Sequence, residues 1–227
     1  MSPTTSEPST PPAPGPRRLV VMDVDSTLIT AEVIELLAAR AGSLDEVAEI
    51  TDRAMRGELD FAQSLHQRVA TLAGLRATVF DEVLGEVELT PGAGELVAEL
   101  AARDWPLALV SGGFLEVVAP LAAGLGITRY RANGLEVSDG VLTGRVHGPV
   151  IDRAAKAHAL HEFAAEVGVP LDRTIAIGDG ANDLDMLDQA GFGIAFNAKP
   201  LVCGQADAVV RGRLDDVLAL PPFTSAG

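Results

Sequence analysis

Asp23 and Asp25 stand two residues apart in Asp23-Val24-Asp25-Ser26-Thr27, directly after the apolar run Leu19-Val20-Val21-Met22. Two carboxylates this close repel in a dry site unless a cation neutralises one or a proton sits on the other. The pair suits covalent catalysis, with an ionised Asp23 attacking and Asp25 giving a proton to the leaving group. Helix capping and turn formation use the same residue types, so the pair does not decide the matter alone. A second acidic cluster, Gly178-Asp179-Gly180-Ala181-Asn182-Asp183, follows Thr174-Ile175-Ala176-Ile177. Hard oxygens on a glycine-rich turn suit Mg²⁺, which takes one or two carboxylates and keeps positions open for water and phosphate. A third cluster, Ser111-Gly112-Gly113, ends the run Leu107 to Val110 and offers a hydroxyl and unobstructed backbone N–H groups to phosphate oxygens. Lys156, near the start of a helical pattern from Ile151 to Phe163, reads by itself as a solvated lysine. It gains a role only if that helix points at the strand ends. His158 and His161 lie three apart but have no third ligand at zinc spacing.

The elements that must bring these clusters together are legible from hydrophobic patterning. Short branched apolar runs followed by helical patterns predict buried parallel strands. In an open α/β sheet, ligands bind at the carboxyl ends of such strands. Strands are expected at the three runs above, near Gly193–Phe196 and near Ala208–Val210. Gly134 to Val137 and Val141 to Val146, around Ser138-Asp139-Gly140, predict a hairpin. From Ala31 to about Leu89 apolar residues recur only at helical spacing, as at Val33, Leu36 and Leu37 or Phe61, Leu65 and Val69. Ser43 with Glu46 predicts a capping box, and Asp60 caps the next helix. The expectation is an α/β fold: a doubly wound, Rossmann-like parallel sheet core with a small helical cap inserted after the first strand. The core would take residues 17–30 and 90–220, the cap 31–89, a disordered proline-rich arm 1–16 and a flexible tail 221–227.

The 227 residues carry Lys+Arg 17 against Asp+Glu 32, a net charge of −15. That balance argues against a nucleic-acid or anionic-membrane surface. A phosphorylated metabolite stays possible, because local cations or a metal can reverse the field. The single Cys203 permits no intrachain disulfide and reads as a small core residue. No stretch is long and apolar enough to span a bilayer. The first residues lack the basic start and apolar centre of a secretion signal, and a cytoplasmic enzyme is the simplest reading.

In this order the clusters resemble the signature motifs of the haloacid dehalogenase superfamily and, within it, the phosphoserine phosphatase family. The resemblance rests on Asp23 to Thr27 with Glu32, Met55 through Arg68, Ser111 to Phe114, Leu142-Thr143-Gly144, Lys156 and Gly178 to Asp183. It covers Arg17 to Val210. It implies Mg²⁺-dependent hydrolysis of O-phospho-L-serine through an aspartyl-phosphate on Asp23, with Asp25 as acid and then base. The metal would be held by Asp23, the backbone carbonyl of Asp25, and Asp179, with Asn182 and Asp183 shaping its surroundings. Ser111, Gly112 and Lys156 would hold the phosphoryl oxygens. Glu32 would receive the ammonium and Arg68 the carboxylate of the substrate, beside Met55, Phe61 and Asn182. Taken without the family, Glu32 is an unremarkable helix residue, Arg68 a solvated one, and Met55 and Phe61 core residues. Two rivals stand beside this reading: a phosphatase or phosphotransferase for another small phosphomonoester, and a receiver-like signalling module that stores an acyl phosphate.

Overall fold

Alternation along the strands dictates the layers. In β1 (Leu19–Met22), Val20 and Met22 join one apolar cluster and Leu19 and Val21 the other. β2 (Leu107–Phe114) and β5 (Thr174–Gly178) divide in the same way, Leu109 and Ile177 to the first cluster, Ala108 and Ala176 to the second. A strand with both faces buried must be covered on both sides, which forces a three-layer α/β arrangement. In the computed structural model, which describes residues 17–224, seven strands take the order β4-β3-β2-β1-β5-β6-β7. Here β3 is Arg129–Ser138, β4 Val141–His147, β6 Phe192–Phe196 and β7 Ala208–Val210. Every pairing is parallel except β3 with β4. The chain builds outward from β1 on one side, then crosses to β5 on the other, so the switch point falls beside β1.

The predicted hairpin is present, and its turn explains itself. Asp139 and Gly140 both have positive φ (51° and 76°), the pairing a two-residue hairpin turn requires. The hairpin is not a separate excursion, however. The first half of β3 pairs with β2 in parallel before its second half turns back with β4.

Residues 31–89 form no named strand. They supply α1 (Val33–Ala41), α2 (Leu44–Met55), α3 (Phe61–Ala70) and α4 (Val79–Glu86). Leu37, Val47, Leu65 and Val83 from these helices belong to the same buried cluster as Val20 and Met22 of β1. Each such side chain contributes on the order of 1.5–3 kcal/mol when fully buried. The backbone ties the insertion to the hairpin as well: Gly74 N donates to Leu142 O at 2.9 Å, and Leu142 N to Leu75 O at 2.8 Å. The insertion is therefore anchored at the edge of the sheet as well as at its two chain connections.

Three expectations are corrected. The Ser43 side chain does not cap α2; its hydroxyl instead bonds Thr71 Oγ1 at 3.0 Å, joining α2's start to α3's end. The full reciprocal box forms at Asp60 with Gln63. Cys203 is only half-buried, with Sγ 3.3 Å from Ala198 O. The expected flexible tail is docked at its start, since Pro221–Thr224 forms a helical turn and buried Phe223 packs on Trp105, ring centroids 5.6 Å apart. The arm expected over residues 1–16 lies outside the described residues. Among the described residues, no helix is long and apolar enough to cross a membrane.

Candidate active site

The three polar clusters meet at the carboxyl ends of β1, β2 and β5. Asp23 is held in line with the sheet by its own N–H, which donates to Ile177 O of β5 at 3.0 Å. Past Asp23 the chain winds through a tight turn over Val24–Leu28 in which Ser26 has a positive φ of 55°. A non-glycine residue there carries a conformational cost that local bonds must offset. Ser26 Oγ donates to Glu32 Oε1 at 2.6 Å, and Val33 N donates to Asp25 Oδ1 at 3.1 Å. The turn thus aims Asp25 and Glu32 toward the same space.

Lys156 corrects its lone-residue reading: it is fully buried. Asp152 caps α7 (Arg153–Val167) by accepting from Ala155 N, and the first turn of that helix carries Lys156 beneath the strand ends. Its Nζ donates to Asp183 Oδ1 at 2.7 Å and stands 2.7 Å from Asp23 Oδ1, the latter a charge contact without hydrogen-bond alignment. Burial works against the ammonium, but Asp183 and Asp23 outweigh it and hold its pKa above the ordinary lysine range. One ammonium cannot compensate two carboxylates. Asp183 has three bonds in all, accepting also from Asp179 N (3.2 Å) and Gly180 N (3.0 Å). Asp23 is left buried with Oδ1 lacking a hydrogen bond, and burial, reinforced by Asp183, pushes its pKa well above the usual range.

Its neighbours are perturbed in the same direction. Burial and then Glu32 push Asp25 up to about 7, against the bonds from Val33 N and Ser111 Oγ. Burial, then Asp183 and Glu32, push Asp179 up to about 6, while Thr27 Oγ1 donates to its Oδ1 at 3.3 Å. The carboxylates of Asp23, Asp179 and Asp183 bring one oxygen each within 4.8 Å of one another. Hard oxygens this close, one of them orphaned and all short of positive charge, fit a divalent cation. Asp183, with both oxygens engaged by protein donors, fits a supporting place better than a direct one.

Ser111 and the two glycines lie at the end of β2, beside Asp25. Ser111 Oγ accepts from Gly113 N at 2.7 Å and donates to Asp25 Oδ2 at 3.3 Å. A Cβ on Gly113 would lie 2.3 Å from Asp25 Oδ2, and one on Gly112 would lie 3.1 Å from Phe61 Cζ. Only bare backbone lets the acid and the phenyl ring approach so closely. Asn133, fully buried, ties this loop to the approach to α7: Nδ2 donates to Gly112 O and Oδ1 accepts from Ile151 N, both at 2.8 Å. Neither Thr27 nor Asn133 had a role at the sequence level. Thr27 stood inside the first motif, whereas a lone asparagine in a strand gives no signal.

A cavity of about 600 Å³ opens above these groups, lined on the core side by Asp23, Asp25, Gly112, Asp179 and Asn182. Its other wall comes from the insertion: Glu32, Met55, Phe61, Ser64 and Arg68. Every sequence-level candidate thus reaches one place, although Ser111, Lys156 and Asp183 stand behind the cavity surface. Met55 is 66% exposed at the mouth, which corrects its lone-residue reading as core, and Phe61 is half-buried. Arg68 is also half-buried, and desolvation lowers its pKa although Glu32 and Asp25 oppose this.

Comparisons with known proteins agree with one another. The chain is 60% identical over 209 residues to the phosphoserine phosphatase of Streptomyces coelicolor, covering 92% of this chain and 51% of that protein. It is 55% identical over 188 residues to the phosphoserine phosphatase of Streptococcus thermophilus, covering 83% of this chain and 87% of that one. It therefore spans about half the length of the first relative and most of the second. A solved structure described as a substrate-bound phosphoserine phosphatase complex superposes with a TM-score of 0.85 at 40% identity, covering 90% of this chain and 98% of that one. The family model for haloacid dehalogenase-like hydrolases matches residues 20–188, a span holding Asp23, Ser111, Lys156 and Asp179. With its motifs gathered at the ends of β1, β2 and β5, the chain belongs to the haloacid dehalogenase-like hydrolase family.

Proposed function

We propose that the protein is an Mg²⁺-dependent phosphomonoesterase that hydrolyses O-phospho-L-serine to L-serine and phosphate, the last step of serine biosynthesis, in the cytoplasm. One juxtaposition carries this reading: the cavity has Asp23 and Asp25 at its floor, backed by buried Lys156, and the oppositely charged pair Glu32 and Arg68 on its wall. An amino acid presents an ammonium and a carboxylate, so two opposite charges at fixed separation read both ends. A ligand lacking either group leaves a buried charge unpaired, which disfavours it. In this reading residues 31–89 act as a cap over a core of 17–30 and 90–220, with Met55 and Phe61 as its apolar contacts.

The chain's own residues divide the chemistry. The phosphoryl group sits against Ser111, the Gly112 backbone and Lys156. An Asp23 carboxylate oxygen forms a bond to phosphorus as the bond from phosphorus to the serine oxygen breaks. Asp25, half protonated near neutral pH, gives its proton to that departing oxygen. After serine leaves, Asp25 takes a proton from water, the water oxygen bonds phosphorus, and the acyl-phosphate bond breaks to return Asp23 and release phosphate. Mg²⁺ held by Asp23, the Asp25 carbonyl and Asp179 would supply positive charge to the phosphoryl oxygens and lower the pKa of the Asp23 carboxyl. Asn182 and Asp183 would keep those ligands in place. Uncatalysed phosphate-monoester hydrolysis is slow enough that accelerations reach ~10²¹, and charge stabilisation in a dry site must supply most of it.

The test is phosphate release from a panel of phosphorylated metabolites with Mg²⁺ and with a chelator. Phosphoserine should lead the panel, and chelation should stop turnover. A different leading substrate would replace the specificity assignment. A single stoichiometric phosphorylation without turnover would favour the receiver-like alternative.

A further inference from the structure

Ser26 sits in the turn beyond β1 with a backbone that glycine adopts at least cost, φ 55°. The turn closes without its hydroxyl: Ser26 N donates to Ala31 O at 3.2 Å and Ile29 N to Val24 O at 3.0 Å. Asp25 is held without it too, by Val33 N at 3.1 Å and Ser111 Oγ at 3.3 Å. The hydroxyl goes instead to Glu32 Oε1 at 2.6 Å. Glu32 is the N-cap of α1, yet its side chain makes no capping bond, and Asp25 takes the Val33 N–H. Its carboxylate lines the cavity, with Oε1 fixed by Ser26. Oε2 has no hydrogen bond or ion pair among the described residues and is open to solvent rather than sealed. Arg68 stands on the same wall, and the two charges would neutralise each other if they met. They form no ion pair among the described residues. Desolvation lowers the Arg68 pKa and Glu32 is the charge that opposes this most, so the two lie near enough to attract. Half-buried charges attract more strongly than charges in open water, so a flexible Glu32 side chain stays off Arg68 only if something holds it.

We infer that Ser26 is a positioning residue for substrate selection: its hydroxyl holds the Glu32 carboxylate away from the Arg68 guanidinium, so both charges stay available to a ligand bearing an ammonium and a carboxylate. The inference rests on the phosphoserine reading and deepens it. A wall whose charges have already paired must break that pair before it can bind an amino acid. Holding them apart in the empty site moves this cost from binding to folding, which is preorganisation. The unfavourable φ of Ser26 is part of the same cost, carried by the fold at a site that selects a ligand. Ser26 acts through Glu32 and takes no part in proton or phosphoryl transfer.

The experiment measures kcat and KM on O-phospho-L-serine and on p-nitrophenyl phosphate for the wild-type protein, Ser26→Ala and Ser26→Gly, all with Mg²⁺. Ser26→Gly is repeated in a Glu32→Gln background. Glycine removes the hydroxyl and relieves the backbone, so that variant folds even where Ser26→Ala does not. Both variants should lower kcat/KM for phosphoserine about tenfold, mainly through KM, while p-nitrophenyl phosphate changes less than about twofold. In the Glu32→Gln background, Ser26→Gly should cause less than about a twofold further loss, because its effect runs through that carboxylate. Normal phosphoserine turnover in Ser26→Gly overturns the inference by showing that the hydroxyl only offsets the backbone cost. Equal losses on both substrates overturn it as well, and so does the same loss with and without the Glu32 carboxylate. Failure of the underlying reading looks different, because the wild-type protein itself would then show no preference for phosphoserine.

Discussion

The two walls of the cavity are built on opposite principles. At the floor, Asp23, Lys156 and Asp183 are almost completely buried, locked to one another, and carried on strand ends pinned by the sheet. On the insertion side, Glu32, Phe61 and Arg68 are half-buried, Met55 is exposed, and the Arg68 guanidinium has no ionic partner among the described residues. The floor holds charge that has been desolvated in advance, which is what stabilising a transferring phosphoryl group demands. The wall holds charge still waiting for a counterpart, which is what choosing a substrate demands. In the proposed function chemistry and selection thus fall on separate elements, and perturbing one should leave the other recognisable.

The largest effect should come from the floor. Asp23→Asn removes the proposed nucleophile while keeping shape, and should cut turnover of every phosphomonoester by roughly 10⁴-fold or more. Melting temperature should not fall, because the amide also relieves a buried carboxylate that Lys156 only partly compensates. Steady-state phosphate release alongside thermal unfolding checks both halves. Normal activity in that variant would break the division at its root.

A smaller and more selective loss is expected on the wall. Arg68→Ala should reduce kcat/KM for phosphoserine by about 100-fold while p-nitrophenyl phosphate changes only a fewfold, as expected when one charged contact to the substrate is lost. Equal damage to both substrates would mean that the wall also serves the chemistry, and the comparison would have to be redrawn.

The smallest effect concerns stability of the metal-free protein. Asp25 and Asp179 titrate at about 7 and about 6 in the folded chain, against an ordinary value of 3.8. Between those values the folded state holds protons that the unfolded chain has released. Their contribution is therefore complete below pH 3.8 and is lost as pH rises through 6 and 7. Unfolding in chelator should accordingly show a melting temperature lower by on the order of 5 °C at pH 8 than at pH 5.5. Saturating Mg²⁺ should shrink that difference, since a cation replaces the missing protons. A rise toward pH 8 in chelator would contradict the crowding of carboxylates at the floor.

How much of each wall was legible follows from how it is built. The floor comes from three compact segments, each a strand followed by a tight polar turn, with Lys156 added from a helix. Such segments announce themselves because a buried parallel strand is a short apolar block and its ligand-bearing end cannot be apolar. The wall is dispersed over Glu32, Met55, Phe61 and Arg68 on separate helical turns. Each of these resembles any helix residue, and family likeness alone singled them out.

Local patterning specified the strands and their terminal clusters, the helical nature of residues 31–89 and the hairpin turn, because these depend on patterns within ten or so neighbouring residues. It took the folded arrangement to bury Lys156 rather than leave it solvated, to share it between Asp23 and Asp183, and to bring Asp25 to titrate near neutrality. Only packing could also show that the insertion shares one apolar cluster with the sheet. The physical reason is common to all four. Desolvation and Coulomb interaction depend on which groups lie within a few ångströms, and Asp23, Lys156 and Asp183 lie far apart along the chain.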